Sequence, residues 1–167
     1  MYADALLTLG GSAVGSTITG QAITATGNTL STNVVDLSSG YAPNGIGAAQ
    51  TRDLGEGSDF DFMRVEVIAA FNNATSVEFQ IIQHDDTAQS VNVTVVGTTG
   101  AIPLASLVAG ARFAAQINPR LASKGQRYIS GRWVVVGTAP TTGTIFADLG
   151  AEIQDGQKFY PVGFAVL

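Results

Sequence analysis

The segment His84-Asp85-Asp86 places the chain's single histidine directly beside two carboxylates. Such an arrangement could act as a general base or contribute to a metal site. A zinc site needs about three or four N, S or O ligands. With one histidine and no cysteine, only carboxylates would be left to complete it. A polar turn between two strands explains the same three residues, and we favour that interpretation.

A second group of acids precedes a predicted strand and consists of Asp53, Glu56, Asp59 and Asp61. Paired carboxylates can hydrolyse glycosides, and several together can hold calcium. Asp59 and Asp61 would project to the same side of a strand. However, the spacing is not that of an EF-hand, and no set of stacking aromatic residues accompanies it. We predict a solvated loop, with calcium binding and a small hydrolase that uses Asp59 and Asp61 as alternatives.

Other signatures of catalysis are weak. Gly45-Ile-Gly47 and Gly55-Glu-Gly57 look like phosphate loops, but neither precedes a predicted helix or lies near a lysine. No serine lies in a Gly-x-Ser-x-Gly elbow. We therefore expect a protein that is not an enzyme and has no catalytic residue, bound metal or cofactor.

The composition favours short strands joined by turns. Charged residues make up only 13% of the chain, hydrophobic residues make up 46%, and there are 20 glycines. The formal net charge of −5 argues against nucleic acid and against an anionic membrane surface as partners, because both attract clustered Lys and Arg. So few charges also suggest that a partner covers some of the surface.

The elements that would position these residues are strands with alternating apolar side chains. Residues 127–136 and 144–153 read as a hairpin around residues 137–143, with the only tryptophan, Trp133, at the centre of the core. Residues 103–110 predict a helix of at most two turns, because a proline begins them and a glycine ends them. Further strands are predicted at 33–37, 62–69, 77–83, 91–95 and 111–117. Their inward residues include Met63, Val65, Val67, Val77, Phe79, Ile81, Val91, Val93 and Val95.

These elements predict an all-β fold, a jelly roll or β-sandwich of about eight strands with one short helical turn and extended termini. Residues 1–32, rich in Gly, Ser and Thr, would form an N-terminal arm or loosely anchored strands. Residues 33–167 would form the sandwich domain.

Apolar residues at both ends of the chain are the candidates for an interface with a partner. Either they pack into their own sheets, or they lie against a neighbouring subunit, where apolar and aromatic groups concentrate. The residues are Leu6, Leu7, Leu9, Phe159, Tyr160 and Phe164.

Four segments together resemble the jelly-roll capsid cement (decoration) proteins of tailed bacteriophages. They are residues 33–37, 52–57, 101–110 and 127–144, and their order and spacing fit that family over roughly residues 30–153. The chain departs from the shorter family pattern in its Gly/Thr-rich N-terminal region and in residues 38–50.

The resemblance implies a homotrimer on the exterior of the virion, bound at threefold positions between subunits of the major capsid protein. It implies neither catalytic residues nor a cofactor. A carbohydrate-binding jelly-roll module of a virion or cell surface is the alternative, because such modules present aromatic residues or calcium on one face.

Overall fold

The computed structural model describes residues 7–14, 17–37, 62–117 and 126–150, which form an all-β sandwich as predicted. One short 3-10 helix, Leu104–Ser106, follows the eighth strand. The strands of the described residues are β1 (Thr8–Gly10), β2 (Ser12–Val14), β3 (Thr17–Thr19), β4 (Gln21–Ala22), β5 (Gly27–Asp36), β6 (Phe62–Ala69), β7 (Ala74–His84), β8 (Thr94–Pro103), β9 (Arg112–Gln116), β10 (Tyr128–Gly137) and β11 (Thr144–Gly150).

Two antiparallel sheets form the layers of the sandwich. The first has the order β1-β11-β6-β9, with β4 also paired to β11, and the second has the order β5-β10-β7-β8. Strands β2 and β3 form a separate two-stranded hairpin. If β2, β3 and β4 are left aside, each strand lies in the opposite sheet from the strand before it, except that β7 and β8 share a sheet. This is the strand order of a jelly roll, in which two Greek keys share two sheets.

The core lies between the two sheets and follows the predicted alternation. Phe79 of β7 packs against Phe113 of β9 in the opposite sheet, with ring centroids 6.0 Å apart. The predicted inward residues of β6 and β7 are all buried, which confirms the alternation there: Met63, Val65, Val67, Val77, Phe79 and Ile81.

Trp133 lies at the centre of this core, as predicted, and is fully buried. Its ring meets Phe79 edge to face, with centroids 5.8 Å apart. Its indole N–H donates a hydrogen bond to Oε1 of Gln21 at 3.1 Å. The same ring lies over Gly131, where an added Cβ would stand 2.2 Å from a ring carbon. Glycine at this position therefore makes room for the tryptophan.

The predicted hairpin of residues 127–136 and 144–153 is wrong in its pairing. Both strands exist, as β10 and β11, but they lie in different sheets. β10 pairs with β5 and β7, and β11 pairs with β1, β4 and β6. Alternation identifies a strand but carries no information on its partner, and the connection crosses between the sheets instead of closing a hairpin.

The N-terminal region takes more part in the sandwich than the predicted arm would. β1 pairs with β11, and β5 runs without interruption through the boundary expected at residue 32. β5 is paired along most of its length with β10. The helix of at most two turns predicted within 103–110 is a single 3-10 turn of three residues. No helix among the described residues has the length and apolar character to cross a bilayer.

The valines of residues 91–95 do not face the core as predicted. Val91, Val93 and Val95 are 48%, 36% and 43% exposed, and β8 begins only at Thr94. β8 is the last strand of its sheet, and its register against β7 shifts between Ile81 and Ile82. This irregularity changes which side chains face inward, because a shift of one residue reverses the two faces of a strand.

Candidate interaction site at the loop between β7 and β8

His84 is the last residue of β7 and is fully buried, so it precedes the predicted polar turn, which begins at Asp85. Its Nδ1 lies 2.6 Å from the backbone oxygen of Asp86, and its Nε2 lies 2.8 Å from Oγ of Ser130. Because a carbonyl oxygen only accepts, Nδ1 carries the proton and Nε2 accepts from the serine hydroxyl. The ring also stacks on Tyr128, with centroids 5.8 Å apart.

Burial lowers the pKa of His84, and the backbone oxygen of Asp86 and the charges of Asp86 and Asp85 oppose this effect. Because the net effect lowers the pKa, the His84 imidazole is neutral at neutral pH. The Ser130–His84 pair has the geometry of a nucleophile and its base. Both side chains are fully buried, however, so no substrate reaches the hydroxyl in this arrangement. What the pair does is attach the loop of residues 85–93 to β10.

Asp86 holds the shape of that loop. Its carboxylate accepts hydrogen bonds from the backbone N–H of Val91 at 2.9 Å and of Ser90 at 2.8 Å, and from the Ser90 hydroxyl at 2.7 Å. These bonds, the one from Val91 first, lower the pKa of Asp86 from 3.8 to about 2. They fix a segment in which Gln89 and Asn92 adopt positive φ.

Two glutamine side chains connect the loop to other parts of the sandwich. Nε2 of Gln89 donates to the backbone oxygen of Ser31 in β5 at 3.1 Å. Nε2 of Gln126 donates to the backbone oxygen of Asn92. Ser31 is itself buried, and its hydroxyl oxygen accepts a hydrogen bond from the backbone N–H of Gly131 at 2.9 Å. This bond lies where the register between β5 and β10 shifts. The loop thus spans the sheet from β7 to β5.

An open cleft of about 390 Å³ lies beside the loop. Its described lining contains one carboxylate, two amides, one hydroxyl and one apolar side chain: Asp85, Asn92, Gln126, Thr94 and Val93. Asp85 and Asn92 are exposed, and Gln126 is buried. Val91 and Val95, two residues before and two residues after Val93 in sequence, are also exposed.

A second exposed surface is the hairpin of β2 and β3. Val14 is 75% exposed and Ile18 is 40% exposed, although both lie on paired strands. None of the six hairpin residues is charged. An isolated two-stranded hairpin is marginally stable in water, so contact with another surface would stabilise this element.

A buried ion pair lies on a different part of the sandwich, between β6 and β11. Nε of Arg64 donates to Oδ1 of Asp148 at 2.9 Å, and its Nη2 donates to Oδ2. Asp148 is fully buried, and burial raises the pKa of this carboxyl while the Arg64 guanidinium lowers it. The bidentate geometry satisfies both carboxylate oxygens, which makes the pair a structural element of the sheet.

The model of one protein family, Bbp16, matches residues 17–149 of this chain. The chain belongs to the Bbp16 family. The match begins at β3 and extends to the penultimate residue of β11, so it covers seven of the eight jelly-roll strands. No curated protein matches the chain.

The predicted interface residues of this Bbp16-family chain are only partly described. Leu7 and Leu9 are buried and belong to the core, so for these two the account of an end that packs into its own sheet holds. Both side chains are covered within the sandwich, because β1 pairs with β11. The remaining predicted interface residues lie outside the described residues: Leu6, Phe159, Tyr160 and Phe164.

The candidate acids Asp53, Glu56, Asp59 and Asp61 also lie outside the described residues. Within the described ranges, no three His, Cys, Asp or Glu side chains lie close enough to hold a metal ion. Sequence reasoning singled out His84 and its neighbouring acids but missed Ser130 and Gln126. These two lie 46 and 34 residues along the chain from their partners His84 and Asn92, and no local pattern links them.

Proposed function

We propose that this chain is a structural cement (decoration) protein, which binds the outer surface of a bacteriophage head and stabilises contacts between subunits of the major capsid protein. The observation that carries the proposal is the Bbp16 match on a chain whose described part is a jelly roll. Membership of this family supports a phage origin. The cement role itself rests on the resemblance of the four sequence segments to capsid cement proteins.

The physics of the fold suits a molecular clamp. Two sheets with a continuous apolar core between them form a body that resists deformation. A protein that binds only the assembled shell stabilises that shell by mass action. If three copies associate, as the resemblance implies, modest contacts per copy give tight binding through effective concentration.

The exposed hairpin of β2 and β3 supports a role in binding other proteins. It is uncharged, and Val14 is more exposed than the other large apolar side chains of the described residues. The free energy falls when a partner covers apolar groups of this kind. The proposal therefore expects the hairpin to lie against a capsid subunit or a neighbouring copy of the chain.

Sedimentation with capsids tests the proposal. The purified chain is mixed with expanded phage heads that lack it, and the pelleted fraction is measured together with the temperature at which the heads release DNA. We expect saturable binding and a higher release temperature. Light scattering of the free chain gives its mass, for which the proposal expects a trimer. A chain that neither pellets with heads nor changes their release temperature contradicts the cement role.

A carbohydrate-binding module is the second candidate, and the cleft beside the loop favours it. Its described lining carries Asp85, Asn92, Thr94 and Gln126, whose side chains can bond sugar hydroxyls. A glycan array distinguishes the two functions, since a cement protein gives no specific signal. A signal abolished by chelation would favour a calcium-dependent carbohydrate-binding module.

A further inference from the structure

We infer that the cleft beside the loop of residues 85–93 receives a basic side chain, lysine or arginine, of the partner protein. The inference rests on the proposed function and deepens it, because it names the chemistry of one contact with the capsid subunit. Three properties of the cleft support it: its hydrogen-bonding groups, its charge and the apolar surface beside it.

Each of the two side-chain amides in the described lining uses one of its N–H donors within the cleft. Nδ2 of Asn92 donates to Oδ2 of Asp85 at 2.7 Å, and Nε2 of Gln126 donates to the backbone oxygen of Asn92. The hydroxyl of Thr94 donates to that same oxygen at 3.5 Å. The remaining capacity is therefore mostly that of acceptors, including the rest of the Asp85 carboxylate. A ligand that fits must bring several donors.

Gln126 adds an acceptor that has no partner. The residue is 7% exposed, and its Oε1 is buried without a hydrogen bond. Native proteins pair most buried acceptors, so such an atom in the lining of a cleft points to a missing donor. Because the atom is buried, an incoming N–H reaches it only when the Gln126 side chain rotates. The Gln126 amide is thus the group that binding is expected to move.

The charge of the cleft selects a cation. Asp85 is exposed, and none of the described lining residues is basic. The nearest arginine along the chain, Arg127, is held by both oxygens of Asp36, at 2.9 and 2.7 Å. The whole chain carries a formal charge of −5, which adds a general attraction for basic partners.

The apolar side chain in the lining favours a long basic side chain over a free inorganic cation. Val93 lines the cleft, and Val91 and Val95, each two residues away from it in sequence, are also exposed. Lysine and arginine pack their methylene groups along apolar surface while the charged end stays among polar groups. A sugar would instead favour an aromatic platform, and none of the described lining residues is aromatic.

The first experiment uses ethylguanidinium chloride as a probe of the isolated chain. Amide and side-chain NMR signals are followed during titration, with sodium chloride at equal ionic strength as the reference. We expect saturable shifts at Asp85, Asn92, Thr94 and the Gln126 side-chain amide, and we expect Asp85→Asn to abolish them. Glu66→Gln is the matched control, because it removes a carboxylate from the other sheet, and it should leave the shifts unchanged.

Two outcomes of this titration overturn the inference. In one, the probe produces no more shift than sodium chloride does. In the other, neutral monosaccharides shift the same signals and ethylguanidinium does not, which assigns the cleft to carbohydrate. Because the titration needs no capsid, it tests the chemistry of the cleft even if the cement role is wrong.

The second experiment measures binding to phage heads. Asp85→Asn should weaken binding by about two- to fivefold, because it removes one exposed charge pair. Asp85→Lys should weaken binding more, because it places two positive charges together. Glu66→Gln should bind as the unaltered chain does. If the unaltered chain binds heads and Asp85→Lys binds equally well, the cleft is not a capsid contact and the inference fails while the cement role stands. If the unaltered chain does not bind heads at all, the cement role fails, and a capsid subunit is not the protein that supplies the basic side chain.

Discussion

Nε2 of His84 lies 2.8 Å from Oγ of Ser130, and both side chains are fully buried on neighbouring strands. Because Nδ1 of the same ring is 2.6 Å from the backbone oxygen of Asp86, the imidazole is a neutral bridge between β10 and the loop of residues 85–93. This relationship gives the chain's only histidine a structural role and makes that role dependent on pH.

The stability of the fold should decrease as pH falls below the ordinary histidine value. Burial lowers the pKa of His84 from 6.5, so the unfolded chain binds a proton more readily than the folded chain does. The stabilising contribution is complete above pH 6.5 and is lost as pH falls toward the lowered pKa. Urea unfolding followed by Trp133 fluorescence at about pH 7.5 and pH 5.5 measures the change. His84→Gln should remove most of this pH dependence, and an unchanged slope in that variant would contradict the prediction.

The carboxylate of Asp86 should protect the backbone of its own loop. Asp86→Ala removes the acceptor for the N–H groups of Ser90 and Val91, so their hydrogen exchange should become faster. Thr87→Ala, an exposed change in the same loop, is the control and should leave exchange unchanged. In the unaltered chain the same protection should hold above the ordinary pKa of 3.8 and disappear as pH falls toward about 2. Equal exchange rates in the two variants would show that the carboxylate does not fix the loop.

The contact between Gly131 and Trp133 should make a single methyl group costly. A Cβ at position 131 would stand 2.2 to 2.8 Å from three ring atoms of Trp133, so Gly131→Ala should destabilise the fold by about 1–3 kcal/mol. Urea unfolding measures this free energy. The three ring atoms belong to the benzene ring of the indole. In the Trp133→Phe variant these atoms are absent, so Gly131→Ala should cost less stability there. Additive effects of the two substitutions on stability would mean that the indole ring and the added methyl group do not compete for the same space.

The Arg64–Asp148 pair should matter far more than the exposed pair on the same sheet. Asp148 is fully buried and the Arg64 side chain is only 14% exposed, so Asp148→Ala leaves a mostly buried guanidinium without this carboxylate and should cost about 3–5 kcal/mol. Arg112 and Glu66 form a solvent-exposed pair at 3.3 Å, and Arg112→Ala should cost about 0–1 kcal/mol. The double variant Arg64→Met with Asp148→Leu should recover part of the lost stability. Urea unfolding of the three variants measures these free energies, and similar costs for the two alanine variants would contradict the assigned importance of burial.

Some features followed from the sequence because they depend on neighbours along the chain. Alternation with a period of two identified Phe79 and Met63 as core residues, and size and apolar character placed Trp133 at the centre. Where a strand loses its regular register the same reasoning failed. Val93 and Val95 alternate like core residues, but they lie exposed next to the shift between β7 and β8.

Only the tertiary structure decided which strands are partners and which distant polar groups meet. Thr144 follows Gly137 closely in sequence, yet β10 and β11 lie in different sheets, because pairing depends on how the whole chain closes its two layers. Arg64 and Asp148 are 84 residues apart, and His84 and Ser130 are 46 apart. The sequence by itself determined a chain of strands with an apolar side, since side-chain direction is a local property. The jelly roll, the burial of His84 and the cleft beside the loop of residues 85–93 depend on contacts between residues that are distant in sequence. Local patterns do not encode such contacts.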